Sequence, residues 1–115
     1  MITEKQLAAL LTKDAFAAWL REQDPGARYV YTDSKGCPIA RYLMAKLPDA
    51  RCGANLQYDP VVIVTRDIAK VFDEDSGEWI EGDLPPHWDD AVYAGDRTYG
   101  AALERLERYT ANDRV

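Results

Sequence analysis

Leu7, Leu10 and Leu11 fall on one face of a helix, and Phe16, Trp19 and Leu20 fall on another, roughly half a turn away. A single straight helix cannot bury both stripes against one surface. The pattern therefore predicts two helices, near 3–11 and 13–23. Thr12 is placed to cap the second, with Asp14 in its first turn, where a negative charge suits the helix dipole. Asp24-Pro25-Gly26 stops that helix.

Arg28-Tyr29-Val30-Tyr31-Thr32 is aromatic and β-branched, which predicts a short strand, followed by a turn over Asp33-Ser34-Lys35-Gly36. Cys37-Pro38 then opens a third helix with proline at its first position. Ile39, Tyr42, Leu43 and Leu47 give it an apolar face before Pro48 ends the pattern. Residues 48–60 have weak periodicity and are expected to form a long loop. The continuous apolar run Val61–Val64 predicts a buried strand.

Residues 68–73 and 78–82 flank Glu74-Asp75-Ser76-Gly77, a hairpin turn with glycine in the left-handed position. A helix over 66–73 competes, since Ile68, Val71 and Phe72 also suit helical spacing. Trp79 and Ile80 make a good facing strand, which favours the hairpin. Pro86 is placed to start a short helix carrying Trp88, Val92 and Tyr93, with Asp89 and Asp90 in its first turn. Thr98 caps a last helix that buries Tyr99, Ala102, Leu103 and Leu106, with Glu104 and Arg108 paired outside. The expected fold is α+β: helices packed on one face of a small, mainly antiparallel sheet. At 115 residues, with 47% apolar residues, the chain makes one globular domain spanning 1–115 that needs neither disulfides nor metals to fold.

Charge changes the picture. Of the 20 acidic residues, nine lie between 71 and 96, where there is no lysine or arginine. The remaining 11 face 14 basic residues, so the whole net charge of −6 comes from this one stretch. Asp73, Glu74, Asp75, Glu78, Glu81, Asp83, Asp89 and Asp90 are interleaved there with Trp79, Trp88 and Tyr93. Three readings are open. The acids are solvated turn and helix-start residues, as charge runs usually are. Alternatively, with the aromatics, they form a recognition face for a basic protein surface, with carboxylates standing where the phosphates of a nucleic acid would lie. Finally, Asp73, Asp75 and Glu78 or Glu81 offer hard oxygen ligands to a divalent cation, although the spacing of a twelve-residue calcium loop is missing.

Other chemistry is sparse. Cys37, at a helix start, would have its thiol pKa lowered by the dipole, and with His87 and Asp89 it would make a nucleophile, base and orienter. No cysteine-hydrolase signature surrounds it. Cys37, Cys52 and the single histidine lack the paired spacing of a zinc site, and no glycine-rich phosphate loop or serine elbow occurs. The expectation is therefore no cofactor and no metal. Two cysteines suit a reducing compartment as free thiols. The acidic balance argues against direct nucleic-acid binding, and no apolar run approaches a membrane span or a signal peptide. Tyr29 and Tyr31, two apart on the predicted strand, are expected to pack with Tyr42 and Tyr58 rather than to stack on a ligand. A soluble, cytoplasmic protein follows.

Phe16-Ala-Ala-Trp-Leu20, Cys37-Pro-Ile-Ala-Arg-Tyr-Leu43 and Arg97-Thr-Tyr-Gly-Ala-Ala-Leu-Glu-Arg-Leu106 resemble segments of small proteins encoded by bacterial phages and prophages. The resemblance covers three short segments, about a fifth of the chain, and none of the acidic region, and it transfers no catalytic residue. It implies an accessory protein of the anti-CRISPR kind: a non-enzymatic inhibitor that blocks a nucleic-acid-binding host complex. The reading from residues and resemblance together is a non-catalytic binding protein with an acidic, aromatic-containing face. The alternatives are a thiol-dependent enzyme centred on Cys37 and an acidic domain without a charge-based function. Sequence leaves a homodimer open.

Overall fold

The computed structural model describes residues 2–30, 37–47, 62–73 and 76–111. It contains helices α1 (Glu4–Leu10), α2 (Lys13–Arg21) and α3 (Pro38–Lys46). Strands β1 (Val62–Val64), β2 (Ile68–Asp73) and β3 (Glu78–Asp83) follow, and then helices α4 (Trp88–Tyr93) and α5 (Tyr99–Ala111). The fold is the expected α+β arrangement, with an antiparallel sheet in the order β1-β2-β3.

The break between α1 and α2 follows from capping. Thr3 and Gln6 form a capping box at the start of α1, and Thr12 accepts the Ala15 N–H at the start of α2. The two apolar stripes then serve different neighbours. Leu7 and Leu11 of the first lie against Gly82 in β3, where an added Cβ would come within 2.6 Å of Leu11 Cδ1. Phe16 of the second meets Trp88 at a ring-centroid distance of 4.4 Å and Tyr42 at 5.1 Å. Trp19 and Tyr99 extend this aromatic core, in which Leu43, Val62, Val71, Val92 and Leu106 are also buried.

The segment beginning at Arg28 does not form the expected strand over its described part. Arg28 makes one isolated bridge to Thr98, and the Tyr29 N–H donates to the Arg97 carbonyl. The pairing is confined to this point because the partner is only the short link between α4, which ends at Tyr93, and α5, which starts at Tyr99, and Gly95 bends that link at a φ of +50°. The rest of that expected strand (residues 31–32, with Tyr31), the turn over 33–36 and the loop over 48–60 with Tyr58 lie outside the described residues. The hairpin is borne out and the competing helix over 66–73 is not: Ile68 through Asp73 pair with Asp83 through Glu78. Helix α4 begins at Trp88, so Pro86 lies ahead of it, and His87 at its N-cap has a φ of +74°.

Candidate functional site

The β2–β3 register divides the acidic segment between two sides of the sheet. In β2, Ala69, Val71 and Asp73 are buried and alternate with half-buried Ile68, Lys70 and Phe72. The inner side meets the helices, through Gly82 in the case of α1. Residues directly opposite in antiparallel strands share a face, so the outer side carries Ile63, Ile68, Lys70, Phe72, Trp79, Glu81 and Asp83. Phe72 and Trp79 pair there with ring centroids 5.3 Å apart. Lys70 Nζ lies 3.2 Å from Glu81 Oε1, and both side chains remain about half exposed. Trp79 is 44% exposed, unusual for the largest apolar side chain in a protein otherwise burying its tryptophans.

Two of the residues expected on a binding surface belong to the interior instead. Trp88 is fully buried between Phe16 and Tyr42, so it anchors α4 to the core and cannot touch a partner. Asp73 is also fully buried and accepts the Ser76 hydroxyl over 2.9 Å; its carboxylate shapes the hairpin turn. Glu74 and Asp75 lie outside the described residues. Glu78, Trp79, Glu81 and Asp83 are exposed along β3, Asp90 and Tyr93 are exposed on α4, and Asp89 is half-buried.

A second group of acids gathers beyond the sheet end. Asp67, Asp89 and Asp90 line a notch of about 120 Å³ with Arg66, Pro86 and His87. That volume falls well below the several hundred Å³ of ordinary small-molecule pockets. The Leu84 N–H donates to the Asp67 carbonyl and ties the notch to β3. Folding also brings back cations missing from the linear stretch. Lys70 meets Glu81, Arg66 joins the notch, and the Arg97 guanidinium lies 5.2 Å from the Tyr93 ring centre. The residues that the expected binding surface lacked are thus Ile68, Lys70, Phe72 and Asp67. Period-two alternation from Trp79 through the hairpin was the signal for the first three.

Cys37 caps α3 without a side-chain hydrogen bond and is buried. Burial pushes its thiol pKa up, and the Asp89 carboxylate adds to the rise. The N–H groups of Ile39 and Ala40 at the helix start pull the other way but do not prevail. This corrects the expectation of a dipole-lowered thiol: desolvation outweighs the helix terminus. Cys52 lies outside the described residues. Among the described residues no group of three or more His, Cys, Asp or Glu side chains could hold a metal ion. None of the described helices is long and apolar enough to cross a membrane. No family model, curated protein or solved structure matches the chain.

Proposed function

We propose that this protein is a non-catalytic binding module that engages a basic protein surface through the outer side of its sheet. One observation carries the reading: the Phe72–Trp79 pair, with Trp79 44% exposed, stands beside Glu81 and Asp83 on the side turned away from the helices. A large aromatic supplies contact area, while neighbouring carboxylates select a cationic partner and speed its approach. Glu78 on the same strand and Asp89, Asp90 and Tyr93 on α4 extend the acidic surroundings.

The resemblance of three helical segments to phage-encoded proteins gives the reading its narrower form. In that form the protein is a cytoplasmic inhibitor of the anti-CRISPR kind, occupying a surface on which a host complex would bind nucleic acid. The protein itself, acidic overall, has no attraction for phosphates. The test is affinity capture from a bacterial host extract with wild-type protein and the Glu78→Gln/Glu81→Gln/Asp83→Asn variant. Basic nucleic-acid-binding proteins retained by the first and lost by the second support the proposal. Equal retention by both contradicts it.

A further inference from the structure

Trp79, Glu81 and Asp83 share a second property besides lying on the outer side of the sheet. The Leu84 N–H donates to the Asp67 carbonyl over 2.8 Å, which makes Asp67 and Leu84 a hydrogen-bonded pair in the β2–β3 register. Bonded and non-bonded pairs alternate along an antiparallel ladder, so Ala69 with Gly82 and Val71 with Ile80 are bonded pairs as well. The other side of β2 agrees. The Thr65 N–H donates to the Ile68 carbonyl over 2.9 Å, so residues 68, 70 and 72 direct their peptide groups toward β1.

The peptide N–H and C=O groups of Trp79, Glu81 and Asp83 therefore point away from β2. Strand β3 ends the sheet order, and none of the described residues bonds to these groups. Such an edge is a template for one more strand.

We infer that the β3 edge accepts an extended, basic segment of the protein partner as a fourth strand. The inference rests on the acidic-face reading above and supplies its mode. An added strand would set its own residues opposite Trp79, Glu81 and Asp83, with their side chains on the outer face. Those positions fit one apolar residue and two cations at alternate places. The Lys70–Glu81 contact does not stand in the way, because an exposed ion pair is worth little and is readily exchanged. A second copy of this chain fits poorly. Antiparallel self-pairing centred on residue 81 would place Glu81 against Glu81 and Trp79 against Asp83, and like charges directly opposite are unfavourable. The same carboxylates that discourage self-association thus select a cationic strand.

The probe is a fluorescent peptide of about eight residues with lysine at alternate positions, valine and threonine between them, and one leucine to meet Trp79. Binding should slow amide hydrogen exchange at Trp79, Glu81 and Asp83. N-methylation of the peptide amides that face the edge should weaken binding by about tenfold or more. Glu81→Gln should weaken it only about threefold. Glu81→Pro, which removes an edge N–H outside the β2–β3 ladder, should weaken it by at least about tenfold. Equal binding of the N-methylated peptide, or equal effects of the two substitutions, would overturn strand addition and leave the acidic-face reading in place. No salt-sensitive binding, together with no effect of Glu81→Gln, would remove both. A dimer that Glu81→Pro dissociates would make a second copy the occupant and overturn the inference.

Discussion

Phe72 and Trp79 stand directly opposite each other in β2 and β3, with ring centroids 5.3 Å apart and ring planes inclined at 59°. They occupy a non-bonded pair of the ladder, where side chains approach most closely. The pair lies on the side of the sheet that the helices leave alone, so it joins the hairpin's own stability to its exposed chemistry. Three tryptophans in one small chain take different roles: Trp88 and Trp19 hold the core together, while Trp79 remains half in water.

Removing Trp79 should therefore cost little stability. Trp79→Ala is expected to lose about 1 kcal/mol, the size of an exposed aromatic pair contact. Trp88→Ala should lose about 3–5 kcal/mol, because it empties a fully buried site beside Phe16 and Tyr42. Urea denaturation of both variants checks the contrast; similar losses would mean that Trp79 is a structural residue.

Cys37 is expected to be a slow thiol. Its pKa is raised by burial and by the Asp89 carboxylate, so the thiolate fraction at neutral pH falls below that of a free peptide cysteine. Labelling Cys37 at pH 7 in a Cys52→Ser background should run at least about tenfold slower than labelling of a short cysteine peptide. Faster labelling would revive a thiol-dependent activity.

The alkaline limb of stability should carry the signature of Tyr42. Burial pushes its phenol from 10.0 to about 12, while its hydroxyl donates to the Leu10 carbonyl over 2.7 Å. The folded pKa lies above the unfolded one, so the native state holds the proton more tightly. The contribution is fully present below about pH 10 and is lost as pH rises through about 12, by roughly 2–3 kcal/mol in total. Tyr42→Phe should flatten this decline in urea midpoints measured between pH 9 and 12, at the cost of about 1 kcal/mol near neutrality. An unchanged slope would remove the assignment to Tyr42.

Arg105 and Tyr29 should prove energetically coupled. The buried Arg105 Nε donates to the Ala91 carbonyl over 2.7 Å and Nη2 to the Tyr29 hydroxyl over 3.3 Å, while Tyr29 donates to the Val92 carbonyl over 2.6 Å. The cation thus lies at the carbonyl-rich end of α4, where the helix dipole favours it. Burial raises the Tyr29 pKa although the Arg105 charge opposes the rise. Arg105→Met should cost about 2–3 kcal/mol and Tyr29→Phe about 1 kcal/mol. A double-mutant cycle should give about 1 kcal/mol of coupling; a value near zero would mean that the two side chains act independently.

Much of this fold is written locally. Thr3, Thr12 and Thr98 mark three helix starts, each by accepting a backbone N–H three residues ahead. The hairpin is legible from glycine at 77, whose φ is +71°. The candidate surface was only half legible, because charge and aromaticity say that a residue has chemistry but not which side it faces. Trp88 and Trp79 look alike in sequence, and tertiary packing sends one inward and leaves the other out. Asp73 was misplaced although parity with buried Ala69 and Val71 puts it inside. Lys70 and Arg66 lie outside the acidic stretch in sequence and beside its members in space, so the linear charge segregation overstates the field.

The central claim is that the outer sheet side binds a basic protein by charge and aromatic contact together. The most direct measurement is the dissociation constant of the captured partner at about 50 and about 500 mM salt, for wild-type protein, Trp79→Ala and the Glu78→Gln/Glu81→Gln/Asp83→Asn variant. Wild-type binding is predicted to weaken by about tenfold or more at high salt. The charge-neutralised variant should show weak binding with little salt dependence, and Trp79→Ala weak binding that still responds to salt. Affinity that ignores salt, or that neither variant alters, would contradict the account.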